Sequence, residues 1–230
     1  MINGKKILAV IPARGNSKRL PKKNLLPLKN KPLIQWSIEA GICSKYIDKI
    51  IVSSDNDEII KKSKEAGADI IKRPDILAID NASSFSVIEH VIDNIDELFD
   101  FTILLQPTSP LRTYKHIDES LELLISKNAD AIISVCETKH SPLWSNTLPD
   151  DGNMQNFMRN EILHMKSQDM PKYYRLNGAI YICKTEKLIN NKTLFIPNNI
   201  FSYIMDRKDS IDIDYEIDLQ YAEFIFNHNQ

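Results

Sequence analysis

The sequence KILAVIPARGNSKRLPKKN, residues 6–24, gives the strongest indication of the fold class. Its first part, residues 6–12, is a continuous apolar run rich in β-branched side chains, which is typical of a strand buried on both faces. The remainder is a polar loop that contains Gly15 and Pro21. A strand buried on both faces belongs in a parallel sheet with helices on either side, so this stretch predicts an α/β protein.

Strand and helix patterns alternate along the rest of the chain. The clearest helical spacing of apolar residues covers 85–99, and a terminal helix is predicted over 216–227. This alternation predicts a mostly parallel sheet with helices on both faces. Further predicted helices cover 33–42, 59–66, 117–125 and 185–189, and further predicted strands cover 49–53, 68–72, 101–105, 131–136, 178–183 and 211–214.

Residues 140–174 break the alternation. The segment is polar, contains Pro142, Pro149 and Pro171, and shows no sustained period. We interpret it as an insertion or a small hairpin arm. A length of 230 residues suits one large domain, or one domain with an insertion, so we expect a single domain over 1–230.

Composition excludes several classes of protein. The chain is 43% hydrophobic and 26% charged with a net charge of -2, as in an ordinary globular protein, and it has no polybasic run that would bind nucleic acid. No apolar stretch approaches the ~20 residues of a membrane span. The three cysteines, Cys43, Cys136 and Cys183, are far apart, which suits buried thiols in a reducing compartment. We therefore expect a cytoplasmic protein without membrane or nucleic-acid partners.

The loop over residues 12–24 is the first candidate site. It follows a buried strand and carries five cations, and ligands of open α/β sheets bind beyond the carboxyl ends of strands. Backbone N–H groups and cationic side chains there suit a polyphosphate. A solvated basic loop explains the same residues equally well. The cations are Arg14, Lys18, Arg19, Lys22 and Lys23.

Asp212 and Asp214 form the second candidate site. Side chains at i and i+2 of a strand point to the same face, so both carboxylates face one way while Ile211 and Ile213 face the other. Two carboxylates at a strand end, completed by phosphate oxygens, suit Mg²⁺. An equally simple alternative makes Asp214 the N-cap of the final helix.

Two further residues are weaker candidates. Arg175, just before a predicted strand, could clamp a carboxylate through two parallel hydrogen bonds, although a surface ion pair is the simpler interpretation. The two prolines of QPTSPLR, residues 106–112, could hold Gln106 toward a ligand, or could only stiffen a connection.

Taken in order, six segments give the chain a family resemblance. It resembles the CMP-sialic acid synthetases, also called acylneuraminate cytidylyltransferases, more than the CMP-KDO synthetases. The segments are IPARGNSKRLPKKNL (11–25), IIVSSDNDEI (50–59), RPDILAIDNASS (73–84), LLQPTSPLR (104–112), RLNGAIYI (175–182) and DSIDIDYEIDLQYAE (209–223).

The resemblance implies a doubly wound, Rossmann-like α/β fold whose protruding arm, about 140–174, reaches a second subunit of a homodimer. It also implies a Mg²⁺- or Mn²⁺-dependent reaction in which the anomeric 2-hydroxyl of a nine-carbon α-keto acid sugar attacks the α-phosphorus of CTP. The products are a CMP-sugar and pyrophosphate. A cytidylyltransferase for another sugar acid, such as KDO, and a catalytically silent nucleotide-binding homologue are the alternatives.

The resemblance also implies roles for individual residues. Those on the triphosphate are Arg14, Lys18 and Lys23, with Asn24 beside them, and those around the cytidine are Arg73, Ala82 and Ser84. Asp212 and Asp214 are the metal ligands, and one of them helps to deprotonate the attacking hydroxyl; with Arg14 and Lys23 they form the catalytic set. The sugar side comprises Gln106, Arg175, Tyr181, Phe195 and Trp144, with Arg175 on the sugar carboxylate.

Two positions on this sugar side depart from well-known sialic acid enzymes. Trp144 stands where they have Lys, and Leu194-Phe195 stands where they have two Phe residues. An apolar Trp in place of a cation predicts a sugar with a less polar side, such as a legionaminic- or pseudaminic-type relative of N-acetylneuraminic acid.

Overall fold

A computed structural model describes residues 1–228 of the chain as a layered α/β fold. The strands are β1 (Ile7–Pro12), β2 (Pro27–Leu28), β3 (Lys31–Pro32), β4 (Lys49–Ser54), β5 (Asp69–Lys72), β6 (Phe101–Leu105), β7 (Ala131–Glu137), β8 (Tyr174–Lys184) and β9 (Ile200–Ile204). The helices are α1 (Leu33–Ile42), α2 (Asp57–Glu65), α3 (Ser84–Asp93), α4 (Tyr114–Ser126), α5 (Thr185–Asn191) and α6 (Glu216–His228).

Seven strands form one sheet in the order β5-β4-β1-β6-β8-β7-β9, and β2 and β3 form a separate ribbon. The pairs β5–β4, β4–β1, β1–β6 and β7–β9 are parallel, whereas β8 runs antiparallel to both β6 and β7. The predicted mostly parallel α/β sheet is therefore confirmed, with β8 as the reversed strand.

The central strand β1 shows why both faces of the sheet are covered. Ile7, Ala9 and Ile11 point into one hydrophobic cluster, and Leu8 and Val10 point into another. All five are fully buried. Alternate side chains of a strand point to opposite faces, so an uninterrupted apolar run requires helices on both sides, as a doubly wound fold provides.

Several elements differ from the prediction. The helix predicted over 85–99 ends at Asp93, although Ile95 and Phe99 still pack against the core. The strand predicted over 211–214 is extended chain outside the sheet, held by the hydrogen bond from Ile213 N to Thr108 O (2.8 Å). Strand β9 was not predicted, and β8 begins four residues earlier than predicted. Apolar periodicity shows which side chains are buried, but it does not show whether their backbone pairs with a neighbouring strand.

The irregular segment over 140–174 connects the paired strands β7 and β8. It contains short 3₁₀ turns at Pro142–Trp144, Asn160–Ile162 and Ser167–Asp169, and most of its residues are exposed. The predicted arm is thus the long connection between two antiparallel neighbours of the sheet.

The cysteines and the helices bear on the class of protein. Cys136 and Cys183 are buried as predicted, whereas Cys43 is exposed because it follows the last turn of α1; none of the three is in a disulfide. No helix within residues 1–228 has the length and apolar character needed to cross a bilayer.

Candidate active site

The predicted site residues gather at one edge of the sheet. Strands β1, β4, β5 and β6 are mutually parallel, so the loops that follow them leave from the same edge. These loops carry Arg14 after β1, Arg73 after β5 and Gln106 after β6.

The cationic loop after β1 is anchored to its neighbour. Gly15 N donates to Asp55 Oδ1 (2.9 Å), and Asn24 Nδ2 donates to the backbone oxygen of Arg14 (3.0 Å). A Cβ atom on Gly15 would lie 2.8 Å from Asn56 Cβ, and Asn56 is the N-cap of α2. The glycine is therefore required by close packing, and the loop has a defined shape rather than that of a free basic segment.

Four of the five loop cations pair with two aspartates. Asp80 accepts from Arg14 (2.6 Å) and contacts Lys18 (2.5 Å), and these cations hold the pKa of its carboxyl below the usual value. Lys23 Nζ donates to Ile213 O (2.6 Å) and to Asp214 Oδ1 (2.9 Å). Arg19 also donates to Asp214. Opposite charges from distant parts of the chain therefore meet over this loop.

A cavity of about 320 Å³ lies beside the loop. It brings together six of the seven residues predicted to bind the nucleotide: Arg14, Lys23, Asn24, Arg73, Ala82 and Ser84. Lys18 lines an adjoining cavity that shares Arg14 and Asp80. The carboxyl end of β1 thus borders a polar cavity that can take an anionic ligand.

Arg73 and the start of α3 form one wall of this cavity. Arg73 is only 5% exposed, and its guanidinium donates to Ser53 O (2.7 Å). Burial lowers the pKa of Arg73 to about 10, which still leaves it cationic at neutral pH. Ser83 caps α3 by accepting from Ser86 N, so the positive end of a ten-residue helix lies at the cavity.

Asp212 and Asp214 lie on the same side of the extended segment that precedes α6. Ile213 is fully buried and Ile211 is 8% exposed, while both aspartates are half-buried, as the predicted alternation requires. The alternative role of Asp214 as an N-cap was wrong, because the side chain that accepts from the backbone at this helix start is Asp218.

The environment of Asp212 suits a ligand-binding carboxylate. Burial raises the pKa of the Asp212 carboxyl; a hydrogen bond from Thr108 opposes this rise, and the charge of Asp214 adds to it. Paired carboxylate oxygens fit a hard divalent cation such as Mg²⁺. Within residues 1–228 no group of three or more acidic, His or Cys side chains could hold a metal, so this pair would need oxygens from substrate or water.

The residues predicted for the sugar are divided between cavities. Gln106, Tyr181 and Phe195 line one of about 290 Å³ that shares Ser84 and Gln106 with the nucleotide cavity. The Tyr181 and Phe195 rings meet edge to face at 6.3 Å, and burial together with the charge of Asp212 raises the pKa of Tyr181. Arg175 instead lines a cavity of about 600 Å³ on the Asp212 side.

Trp144 is not brought into these cavities within the described chain. It lies in the 3₁₀ turn Pro142–Trp144 of the arm and is half-buried there. Three residues at the site were not predicted: Asp80, which pairs with Arg14, Asp55, which anchors Gly15, and Thr108, which contacts Asp212. All three lie in segments that carry the family resemblance, 50–59, 73–84 and 104–112, but no local pattern singles them out within those segments.

A sequence profile of one protein family, described as cytidylyltransferase, matches residues 8–224. The chain belongs to the cytidylyltransferase family. Its structure is also similar to that of a CMP:2-keto-3-deoxy-manno-octonic acid synthetase solved with CTP, with a TM-score of 0.72, 18% identity, and coverage of 98% of this chain and 100% of that one. At that identity the likeness concerns the fold of this cytidylyltransferase.

Named relatives of this cytidylyltransferase differ in length. It is 35% identical to the N-acylneuraminate cytidylyltransferase of Escherichia coli O18:K1:H7 over 94% of this chain and 51% of that protein. It is 34% identical to the CMP-N,N'-diacetyllegionaminic acid synthase of Legionella pneumophila over 98% of both chains. A pseudaminic acid cytidylyltransferase of Campylobacter jejuni is 29% identical over 97% of both. The chain thus spans about half the length of the first relative and nearly all of the other two.

Proposed function

We propose that this cytidylyltransferase transfers CMP from CTP to the anomeric 2-hydroxyl of a nine-carbon α-keto acid sugar and releases pyrophosphate. One observation carries the proposal. Lys23 joins the cationic loop to the carboxylate pair, with Nζ 2.9 Å from Asp214 Oδ1, at a cavity lined by Arg73, Ala82 and Ser84. Cations for a triphosphate and carboxylates for a metal thus occupy one place, and nucleotidyl transfer needs positioning and charge stabilisation more than a protein nucleophile.

Each group of residues has a separate task in this proposal. Arg14, Lys18 and Lys23 bind the triphosphate oxygens, and Asn24 keeps the loop in shape through its bond to Arg14 O. Arg73, Ala82 and Ser84 surround the cytidine. Because Asp80 already contacts Arg14 and Lys18, the triphosphate replaces one carboxylate as it binds.

The reaction exchanges one phosphorus–oxygen bond for another. The sugar 2-oxygen bonds to the α-phosphorus, the bond from that phosphorus to the bridging oxygen breaks, and pyrophosphate leaves with that electron pair. The hydroxyl proton passes to a carboxylate of the Asp212–Asp214 pair or to water. Mg²⁺ or Mn²⁺ held by Asp212 and Asp214 would neutralise charge on the phosphates.

The sugar side rests on Gln106, Tyr181, Phe195 and Arg175. The first three line a cavity next to the nucleotide cavity. The Arg175 guanidinium, whose charge lowers the pKa of the Asp212 carboxyl, binds the sugar carboxylate. The apolar Trp144 in place of a cation supports a sugar of the legionaminic or pseudaminic type, and relatives of this chain are named for both of those acids. The proposal also includes a cytoplasmic homodimer in which the arm over 140–174 meets the second subunit and brings Trp144 to the sugar.

Pyrophosphate release from CTP and Mg²⁺ tests this function with N-acetylneuraminic, legionaminic, pseudaminic and KDO acids as separate acceptors. We expect turnover with a nine-carbon acid, and kcat/KM for legionaminic or pseudaminic acid above that for N-acetylneuraminic acid. Turnover with KDO alone would assign a different sugar acid. CTP binding by calorimetry without turnover on any acid would mean a silent nucleotide-binding homologue.

Variants of the carboxylate pair test the assignment of the metal site. Asp212→Asn and Asp214→Asn should each lower kcat by about 100-fold or more, because each removes a charged metal ligand. Asp96→Asn, at an exposed carboxylate outside the site, serves as the control. Full activity in both site variants, at unchanged Tm, would overturn the assignment.

A further inference from the structure

Asn177 is a buried polar residue for which the proposed reaction gives no role. It lies in β8, beside the point where the register with β7 shifts between Ile133 and Val135, and it is 1% exposed. Buried amide groups need hydrogen-bond partners, because an unpaired one loses its water without compensation. Where the Asn177 amide finds its partners therefore indicates what it holds in place.

The amide of Asn177 bonds in two directions. Its Oδ1 accepts from Ser134 Oγ (2.6 Å) and from Ala179 N (3.2 Å), which fixes it to β7 and to its own strand. Its Nδ2 donates to Ser210 Oγ (2.9 Å) and contacts Met205 Sδ (3.2 Å). Asn177 therefore links the sheet to the segment that follows β9.

Ser210 is the residue of that segment to which Asn177 donates its hydrogen bond. It is 1% exposed, and its hydroxyl accepts from Asn177 and donates to Asp206 O (2.7 Å). Its carbonyl oxygen accepts from the Arg175 guanidinium (3.0 Å). With the bond from Ser210 N to Arg207 O (3.2 Å), four polar bonds therefore converge on one residue that lies two positions before Asp212.

The segment that carries Asp212 has few other directional restraints. Residues 211–214 lie outside the sheet, and Ile211 and Ile213 are held by apolar packing, which is not directional. On the C-terminal side of Asp212, Ile213 is held by the bond from its N to Thr108 O and by the bond from Lys23 to its backbone oxygen. On the N-terminal side the segment is held by Ser210, and through Ser210 by Asn177.

We infer that Asn177 and Ser210 are positioning residues that set the Asp212 carboxylate for the metal. This inference rests on the proposed function, in which Asp212 and Asp214 hold Mg²⁺. A site held to within a fraction of an ångström needs surrounding side chains that are themselves hydrogen-bonded, and removing such a support loosens the ligands without removing them.

Ser210→Ala tests the inference, because it deletes one hydroxyl and leaves every metal ligand in place. We expect kcat to fall about tenfold, the Mg²⁺ concentration for half-maximal rate to rise about threefold to tenfold, and the KM for CTP to stay within about twofold. Asn177→Ala should raise the Mg²⁺ requirement by a similar factor, and the double variant should raise it no further than either single one, because both substitutions remove the bond between Asn177 and Ser210.

Ser120→Ala is the matched control. Ser120 is fully buried in α4 and its hydroxyl donates to Ile117 O (2.8 Å), so its removal costs one buried hydrogen bond, where Ser210→Ala costs two. It should lower Tm without a change in the Mg²⁺ dependence. If Ser210→Ala lowers only Tm, like the control, then Ser210 is purely structural and the inference is wrong. Additive increases of the Mg²⁺ requirement in the double variant would likewise contradict a shared bond.

A second readout separates this inference from the proposed function. Hydrogen exchange of the Ile213 amide, which is bonded to Thr108 O, reports directly on the position of the segment. We expect faster exchange in Ser210→Ala than in wild type and in Ser120→Ala. Unchanged exchange overturns the inference even if the wild type is active. A wild type that is silent with every acid refutes the proposed function, and the exchange result still decides whether Ser210 holds the segment.

Discussion

Replacing Gly178 by Ala should damage both stability and substrate use, for two separable reasons. Gly178 has a φ of +76°, a conformation that costs a residue with a Cβ atom ~1–2 kcal/mol. For a chain of this size that corresponds to a Tm about 2–8 °C lower. The added Cβ would also lie 3.3 Å from Gln106 Oε1, closer than ordinary contact, so the Gln106 side chain must shift.

The shift of Gln106 is the functional part of this prediction. Gln106 lines both the nucleotide cavity and the adjoining cavity with Tyr181, so its displacement should misplace both substrates. Small misplacements of reacting groups reduce rates steeply, and we expect kcat/KM for the sugar acid to fall about tenfold. Pyrophosphate release measures kcat/KM, and calorimetry or circular dichroism measures Tm.

Gly4→Ala is the control for backbone strain. Gly4 has the same φ of +76°, and a Cβ there would meet nothing within 4 Å. It should lose a similar amount of Tm and keep the wild-type kcat/KM. If Gly178→Ala keeps the wild-type kcat/KM, or if Gly4→Ala loses as much of it, the contact with Gln106 does not position the substrates and the reasoning fails.

Three further predictions concern charges. Asp80→Asn should lower the Kd for CTP by about twofold to tenfold, because Arg14 and Lys18 then no longer have to release a carboxylate before they bind the triphosphate. Calorimetry measures this Kd, with Asp75→Asn as the control, and weaker CTP binding in Asp80→Asn would contradict the prediction. Arg175→Gln should raise the KM for the sugar acid about tenfold and the KM for CTP less than twofold, and an equal rise in both would exclude the carboxylate clamp. Burial lowers the pKa of His116 below its ordinary value of 6.5, against the charge of nearby Asp209, so the unfolded chain takes up the proton first as pH falls. The wild type should therefore lose stability as the pH falls below about pH 6.5. His116→Gln should lose less, because a Gln side chain can keep the bond to the N-cap backbone of α4 without taking up a proton. Parallel Tm curves of the two proteins from about pH 5 to about pH 8 would refute this.

Much of the fold was predictable because its signals are local. The apolar run of β1 and the helical spacing of α1, α2 and α4 depend on neighbours a few residues apart. The alternation around Asp212 and Asp214 was also right, although the segment is not a strand, because an extended backbone turns successive side chains to opposite sides whether or not it is paired. Strand β9 (IFSYI) was missed because so short an apolar run does not by itself separate a strand from a loop, and its partner β7 lies far earlier in the chain.

Local sequence patterns were enough to predict the class of fold, the cationic loop after β1 and the pair of carboxylates before α6. Packing of distant segments brings Lys23 to the backbone of Ile213 and the carboxylate of Asp214, 190 and 191 residues away, and brings Asp80 to Arg14. The antiparallel direction of β8 and the hydrogen bond from Asn177 to Ser210 likewise have no local sequence signal. Periodicity records the environment of each residue along one element, whereas contacts between distant segments follow from how whole elements pack, and no local pattern contains that information.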